Sequence, residues 1–163
     1  LDACMKFLQT NGWINFRMRA MIMSFASYNM WQPWQKTSPL LAELFTDYEP
    51  GIHISQVQMQ SGVTGINLPR IYSVTKQSMD QDPNADWIKR LIPKLREFDP
   101  KLIHEANLNN SYIPKIVDLK ESAKFARDQV WSIRKNKHFK NEAKLVYLKH
   151  GSRRKRRLAA NQR

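Results

Sequence analysis

The longest apolar run of the chain covers residues 13–31 and predicts a helix that is buried on most sides. Two cations, Arg17 and Arg19, interrupt this run. A guanidinium does not lose its proton, so a buried one needs an acceptor or a route to solvent. A short segment later, a loop offers two carboxylates, Asp47 and Glu49. Such a combination is typical either of a structural ion pair or of the polar floor of a ligand pocket.

The remaining hydrophobic periodicity also predicts helices, and the architecture is therefore expected to be all-α with about five or six of them. The further predicted helices are 1–9, 40–45, 82–91, 119–133 and 139–150. Asp82-Pro83 is typical of a helix start, because an acidic cap precedes a proline at the first helical position. Irregular structure is predicted for the turn between Pro33 and Pro39, for 48–69 except one short helix, and for most of 101–112.

Length and composition fit one globular domain of 163 residues. The single cysteine, Cys4, excludes an internal disulfide framework and a cysteine-rich zinc site, and favours a reducing, cytoplasmic compartment. No apolar run is long enough for a membrane span, so no membrane partner is expected. Because the chain starts at Leu1 inside a helical pattern without a cap, it is interpreted as a piece of a longer protein.

Positive charge is concentrated in the second part of the chain. The net charge is +13, and residues 115–163 contribute +12 of it. The densest run, 153–157, predicts a disordered basic tail over 152–163, behind a helical region that covers 1–151. The alternative interpretation of the same run is a phosphate-binding patch.

One possible metal motif is rejected. Asp80, Asp82 and Asn84 match the opening of a calcium-binding loop. The glycine that such a loop needs is replaced by Ala85, and the position of the bidentate glutamate holds Leu91. No metal site is therefore predicted.

Several short motifs occur in a specific order. They are Asn11-Gly12-Trp13, Arg17-Met18-Arg19, Asp47-Tyr48-Glu49-Pro50, Arg70-Ile71-Tyr72 and Asp82-Pro83. Their order and spacing resemble the C-terminal half of the helical FAD-binding domain of DNA photolyases and cryptochromes. The resemblance covers nearly the whole chain and is strongest to a branch that reads YEPGIHxSQVQMQSGxTGIN, here 48–67, and KHGSRR, here 149–154.

The resemblance implies a multi-helical domain that holds FAD in a folded conformation at its centre. It implies that Arg19 pairs with Asp47 beneath the flavin. Glu49 takes the place of an acid that binds the flavin ring or the adenine edge, and His53 takes the place of the residue that faces flavin N5. Trp13 is expected to line the same pocket.

The resemblance also implies a DNA-binding surface and an electron-transfer residue. Arg17 and Arg70 match positions that contact DNA phosphates or the flipped lesion. Gln58 and Met59 fall near the mouth that receives the lesion. Trp34 matches the middle tryptophan of the family's electron-transfer chain.

The activity implied for the complete protein is that of a photolyase-like lyase, which uses light-driven electron transfer from reduced FAD to split pyrimidine dimers in DNA. Its partners would be dimer-containing DNA and a missing N-terminal part that carries the rest of the FAD site and an antenna chromophore. By itself, the fragment is expected to be inactive and to bind FAD weakly.

Two departures from the family pattern keep other functions open. Val57 stands where the tryptophan nearest the flavin is usual, and Phe16 replaces a polar residue beside Arg17. These changes favour a cryptochrome-type blue-light photoreceptor without repair activity as one alternative. The basic second part of the chain favours another, a helical nucleic-acid-binding module without flavin.

Overall fold

The computed structural model describes residues 1–64, 69–108 and 111–151. Within these ranges every regular element is helical, which confirms the all-α prediction. The predicted basic tail, 152–163, lies outside them. The described helices are α1 (Asp2–Asn11), α2 (Phe16–Ser24), α3 (Trp34–Ala42), α4 (Pro50–Gln60), α5 (Val74–Gln81), α6 (Asp86–Leu91), α7 (Pro100–His104), α8 (Leu119–Lys135) and α9 (Lys137–His150).

The predicted helix over 13–31 is too long at both ends. The helix α2 begins only at Phe16, because Asn15 is its N-cap and the side chain of Asn15 accepts a hydrogen bond from the Met18 amide at 3.0 Å. After Ser24 the backbone continues as a π-helical turn, Phe25–Asn29. Burial is confined to the second part of α2, so the expectation of a helix buried on most sides was wrong for its first turn.

The prediction for 33–45 was also wrong. The helix α3 continues through Pro39, although proline provides no amide donor to the helix. The one short helix expected within 48–69 is α4, which has eleven residues. Glu49 caps α4, since its Oε2 accepts a hydrogen bond from the Ile52 amide at 2.6 Å, and Pro50 occupies the first helical position.

The helix predicted to start at Asp82-Pro83 starts four residues later, at Asp86. Asp82 still acts on its N-terminus, because the Asp82 carboxylate accepts hydrogen bonds from the amides of Trp87 at 3.2 Å and Ile88 at 3.0 Å. The preceding helix, α5, was not predicted from the sequence. Its N-cap is Ser73, whose hydroxyl accepts a hydrogen bond from the Lys76 amide.

The last two helices agree closely with prediction. The apolar face of α8 packs on the π-helical turn, where Asn29 Nδ2 donates a hydrogen bond of 2.9 Å to Ser122 Oγ. Next to this bond, Trp31 and Phe125 make an edge-to-face contact with ring centroids 5.1 Å apart. The helix α9 packs on α8 and has no buried residue.

Two apolar clusters form the described core. One is centred on Leu8, Ile14 and Met21, and packs α1, α2, α3 and α4 together. The other joins Ala3 to α6, α7 and the 3₁₀ turn Pro93–Leu95. Since α1 contributes to both clusters, it connects the two parts of the core.

Candidate functional site

A groove beside α2 and α4 brings together four of the five predicted cofactor-binding residues. It encloses about 690 Å³ of unfilled space, part of it open to solvent. Its cavity volume proper is about 140 Å³, which is smaller than the range of about 300–1,000 Å³ that is usual for ligand sites. Apolar side chains form most of its walls, and its polar lining includes Arg19, Asp47, Glu49, His53, Gln56 and Gln60.

Arg19 is held in place by three kinds of contact. Its Nη2 atom lies 3.0 Å from Asp47 Oδ1 and 2.9 Å from Asp47 Oδ2. Its Nε atom donates a hydrogen bond of 2.8 Å to the Ile14 carbonyl. The guanidinium also lies over the ring of Phe45, 4.2 Å from the centroid. These contacts fix the cation at the edge of the groove, with a quarter of its side chain exposed (26%).

Arg19 favours the charged form of the Asp47 carboxylate. The hydrogen bond from Arg19 lowers the pKa of Asp47 below its ordinary value, and the nearby positive charge acts in the same direction. The Asp47 side chain is 47% exposed, so solvent weakens the attraction. The pair therefore acts mainly to orient the guanidinium.

His53 is attached to α3 by one ring nitrogen. Its Nε2 atom lies 3.1 Å from the Ser38 carbonyl oxygen and 3.0 Å from Ser38 Oγ. Because a carbonyl oxygen only accepts hydrogen bonds, this geometry assigns the proton to Nε2 in the neutral ring. Phe45 and Tyr48 lie against the imidazole at centroid distances of 5.9 and 5.3 Å.

His104 gives a contrast within the same chain. Its Nε2 atom donates to the Pro83 carbonyl at 3.1 Å, and its Nδ1 atom accepts from Ser78 Oγ at 2.7 Å. Both ring nitrogens of this buried histidine are therefore satisfied, as expected for a structural residue. Among the described residues, His53 has no such contact at Nδ1, so that nitrogen is available to a ligand in the groove.

The predicted aromatic residues lie near the groove but do not line it. Trp13 precedes α2 and is half exposed, with its ring 6.0 Å from the Arg19 guanidinium carbon. Trp34 is the first residue of α3 and packs partly buried against the core. Val57, by contrast, is buried in the wall of the groove itself.

The predicted DNA-binding residues lie outside the groove. Arg17 is exposed, and its Nη1 atom donates to Gln77 Oε1 at 3.2 Å. It therefore has a different partner from Arg19, as expected for residues two positions apart on a helix. Arg70 is also exposed, whereas Gln58 and Met59 are partly buried on α4.

Sequence reasoning missed several lining residues, among them Phe45, Gln56 and Gln60. Gln56 is notable because its Oε1 atom is buried and has no hydrogen-bond partner in the described structure. Positions 49, 53, 56 and 60 share one face of α4, following the spacing of a helix. Recognition of the Glu49 cap and of Pro50 as a helix start would have revealed that face.

Comparison with known proteins identifies the family of the chain. Residues 1–132 match the family model described as the FAD binding domain of DNA photolyase. The deoxyribodipyrimidine photo-lyase of Alkalihalophilus pseudofirmus is 29% identical over 107 residues, which are 64% of this chain and 22% of that protein. Cryptochrome DASH of Gloeobacter violaceus is 25% identical over 137 residues, which are 76% of this chain and 27% of that protein. The chain thus spans about a quarter of these relatives.

Solved structures show the same fold. The archaeal photolyase of Sulfolobus tokodaii, whose structure contains two FAD molecules, superimposes with a TM-score of 0.74 at 25% identity, over 81% of this chain and 31% of that one. The cryptochrome of Synechocystis sp. PCC6803 superimposes with a TM-score of 0.72 at 20% identity, over 78% and 29%. From the family match and the fold together, the chain belongs to the FAD-binding domain family of DNA photolyases and cryptochromes, whose cofactor is FAD.

Proposed function

We propose that this chain is the C-terminal half of the FAD-binding domain of a photolyase-like protein, which splits pyrimidine dimers in DNA. The observation that carries the proposal is the fixed Arg19–Asp47 pair at the edge of a groove that Glu49 and His53 also line. The relatives named above are a photolyase and a cryptochrome, so the repair activity rests on the site and its test.

The residues of the groove fit a flavin. A flavin has broad aromatic faces and a polar edge of ring nitrogens and carbonyl oxygens, and the groove offers apolar walls with polar groups at one side. The Arg19 guanidinium suits the negative charge of a reduced flavin. The unpartnered Oε1 atom of Gln56 provides an acceptor for a ring N–H group.

When bound and reduced, FAD supplies the light-driven electron that splits the dimer. The protein's part is to bind and to orient. Arg19, oriented by Asp47, would hold the negative edge of the cofactor, and His53 would present Nδ1, an acceptor in the Nε2–H tautomer, to a ring N–H group. Glu49 keeps the first turn of α4 in place and lines the groove. The Trp13 ring lies 6.0 Å from the Arg19 guanidinium carbon and would cover that side of the bound cofactor.

On the DNA side, the exposed Arg17 and Arg70 would bind phosphates of the damaged strand. Gln58 and Met59 would contact the flipped lesion from α4. Trp34 would carry electrons toward the flavin, and Val57 would force that route to differ from a chain of three tryptophans.

The first test measures FAD binding by absorbance in the complete protein. Arg19→Ala should weaken FAD binding by about tenfold or more, because a charge-assisted contact is lost. The matched control is Lys76→Ala, which breaks the other described ion pair, Lys76–Asp80, away from the groove. Equal effects of the two substitutions would contradict the proposed site.

The second test measures repair of a dimer-containing oligonucleotide in light and in darkness. Repair that needs light and falls on Arg17→Ala supports the photolyase. Bound flavin that is reduced by light without repair would instead favour the cryptochrome-type photoreceptor. DNA binding without flavin, abolished by removal of 152–163, would favour the nucleic-acid-binding module.

A further inference from the structure

A basic surface lies on α8, and no residue of this helix lines the groove. Lys120, Lys124, Arg127, Trp131 and Lys135 follow one another at intervals of four, three, four and four residues. Residues with this spacing lie along one face of a helix. We call them the basic stripe. At 1.5 Å per residue the stripe is about 22 Å long.

The cations of the basic stripe have no role in holding the described structure together. All five side chains of the stripe are exposed, while α8 packs on the π-helical turn through a different face, on which Ala126 is fully buried. Neither ion pair of the described residues involves α8 or α9. Glu121 and Asp128 lie three and four residues from Lys124, but neither forms an ion pair with the stripe in the described structure. Since like charges one turn apart repel each other, the excess of cations favours a partner with negative charge.

Trp131 interrupts the stripe with a flat apolar surface. Its side chain is 46% exposed, although it lies among cations. The guanidinium carbon of Arg134 is 5.9 Å from the Trp131 ring and 5.1 Å from the Phe139 ring, so the arginine connects the ends of α8 and α9. The indole is thus supported from one side and open on another.

The positive charge around the stripe favours the binding of a polyanion. The two helices carry nine Lys and Arg against three Asp and Glu, a net charge of +6 over 119–150. The family match ends at residue 132, so α9 adds its positive charge beyond the matched domain. Alternation of cations with an exposed aromatic ring is the pattern that binds phosphates and stacks bases.

We propose that the basic stripe binds single-stranded nucleic acid, with phosphates on its cations and one unpaired base stacked on Trp131. A duplex has no free base to stack, so it would use the charges alone. A membrane surface fits less well, because a membrane-bound helix needs a continuous apolar face and the stripe contains one apolar residue. None of the stripe residues belongs to the lesion site of the proposed function.

The test measures fluorescence anisotropy of a labelled, undamaged oligo-dT of about 12 nucleotides, kept in darkness with the complete protein. Lys124→Glu with Arg127→Glu should weaken binding at least about tenfold. The slope of log affinity against log salt should become shallower by about 1.4, since two phosphate contacts are lost. Lys94→Glu with Lys101→Glu is the matched control, because it changes the net charge equally at exposed positions outside the stripe.

Stacking is tested by a second pair of variants. Trp131→Ala should weaken oligo-dT binding between about fivefold and 150-fold, whereas Trp131→Phe should retain most of the affinity. The same Trp131→Ala change should leave binding to a duplex of equal length unaltered. FAD absorbance should be unchanged in all stripe variants, which separates this result from the proposed function.

Three results would overturn the proposal. One is equal loss of binding in the stripe variant and the Lys94/Lys101 control, which would indicate attraction by net charge alone. Another is equal sensitivity of duplex and single strand to Trp131→Ala. The third is tighter binding of vesicles with anionic lipid than of oligo-dT, with the same dependence on the stripe, which would identify a membrane surface.

Discussion

Arg19 and Asp47 illustrate how one cation near an apolar run is accommodated. The guanidinium uses one nitrogen for both carboxylate oxygens, another for the Ile14 carbonyl and its face for Phe45. Since both partners are partly exposed, the pair adds at most about 1 kcal/mol to stability. Its value lies in the fixed direction of the positive charge.

The Arg19–Asp47 pair should make the free energy of unfolding depend on pH. The pKa of Asp47 is lower in the folded protein than the ordinary 3.8, so its stabilising effect is present above that pH and is lost as the pH falls through the folded pKa. Asp47→Asn should therefore cost at most about 1 kcal/mol at pH 7 and nothing in strong acid. Urea unfolding at several pH values measures the difference, and a difference independent of pH would contradict the assignment.

His53 should be the Nε2–H tautomer when neutral. ¹⁵N spectra of the imidazoles report the tautomer directly, and His104 provides an internal reference, since its Nε2 also faces a carbonyl oxygen. Ser38→Ala keeps the carbonyl acceptor and should preserve the tautomer. A neutral ring of His53 with its proton on Nδ1 would show that Nε2 is not the anchored donor.

At the scale of elements, two helix ends show what a left-handed residue costs. Gly12 ends α1 with φ 68°, and an added Cβ would overlap the Thr46 side chain. Ala106 follows α7 with φ 51°, a position where glycine is favoured. The amides of Ala106 and Asn107 bond back to the carbonyls of Ile103 and Leu102, so the turn is a regular helix end.

Substitutions at Gly12 and Ala106 should change the stability of the protein in opposite directions. Gly12→Ala should destabilise the protein by more than about 1 kcal/mol, because backbone strain and a steric overlap add together. Ala106→Gly should stabilise it by about 0.5–1 kcal/mol, since the strain is relieved at an exposed site. Chemical denaturation measures both values, and changes of the same sign would contradict this account.

Helices were predicted correctly where a single face of the helix is apolar. They were predicted less well where the helix depends on a cap and its residues have weak helix propensity. The helix α8 was predicted from its apolar face, because Leu119, Ala126 and Val130 repeat at helical spacing. The bounds of α4 were not predicted, because glycine and serine weaken its intrinsic propensity. Its stability comes from the Glu49 cap and from packing of Val57, and the packing involves other helices.

At the scale of the whole molecule, α1 determines whether the domain behaves as one unit. Leu8 is fully buried in one apolar cluster, while Ala3 lies in the other. Trp87 packs against both clusters as well. The site groove depends on the first cluster, since α2 and α4 meet there.

Leu8→Ala should lower the free energy of unfolding by about 2–5 kcal/mol, because it leaves a cavity in the first cluster. The two clusters should unfold together, so helical circular dichroism and tryptophan fluorescence should give one midpoint. Leu40→Ala is the control, since Leu40 is 63% exposed and should cost less than about 0.5 kcal/mol. Two separate midpoints would show that α1 does not couple the clusters.

No described helix is long and apolar enough to cross a membrane. No group of three or more His, Cys, Asp or Glu able to hold a metal ion occurs in the described ranges either. Part of the +12 net charge of residues 115–163 lies on α8 and α9.

The sequence by itself determined the helical class and the family resemblance, and through that resemblance the pairing of Arg19 with Asp47, because periodicity and motif order are local properties of the chain. Only the tertiary structure decided the bounds of α4, the burial of the unpartnered Gln56 Oε1 atom and the exposure of Arg17. These features depend on which faces of distant segments meet, and burial by residues far along the chain leaves no local signal. The groove is therefore a property of packing, although its central ion pair was already evident in the sequence.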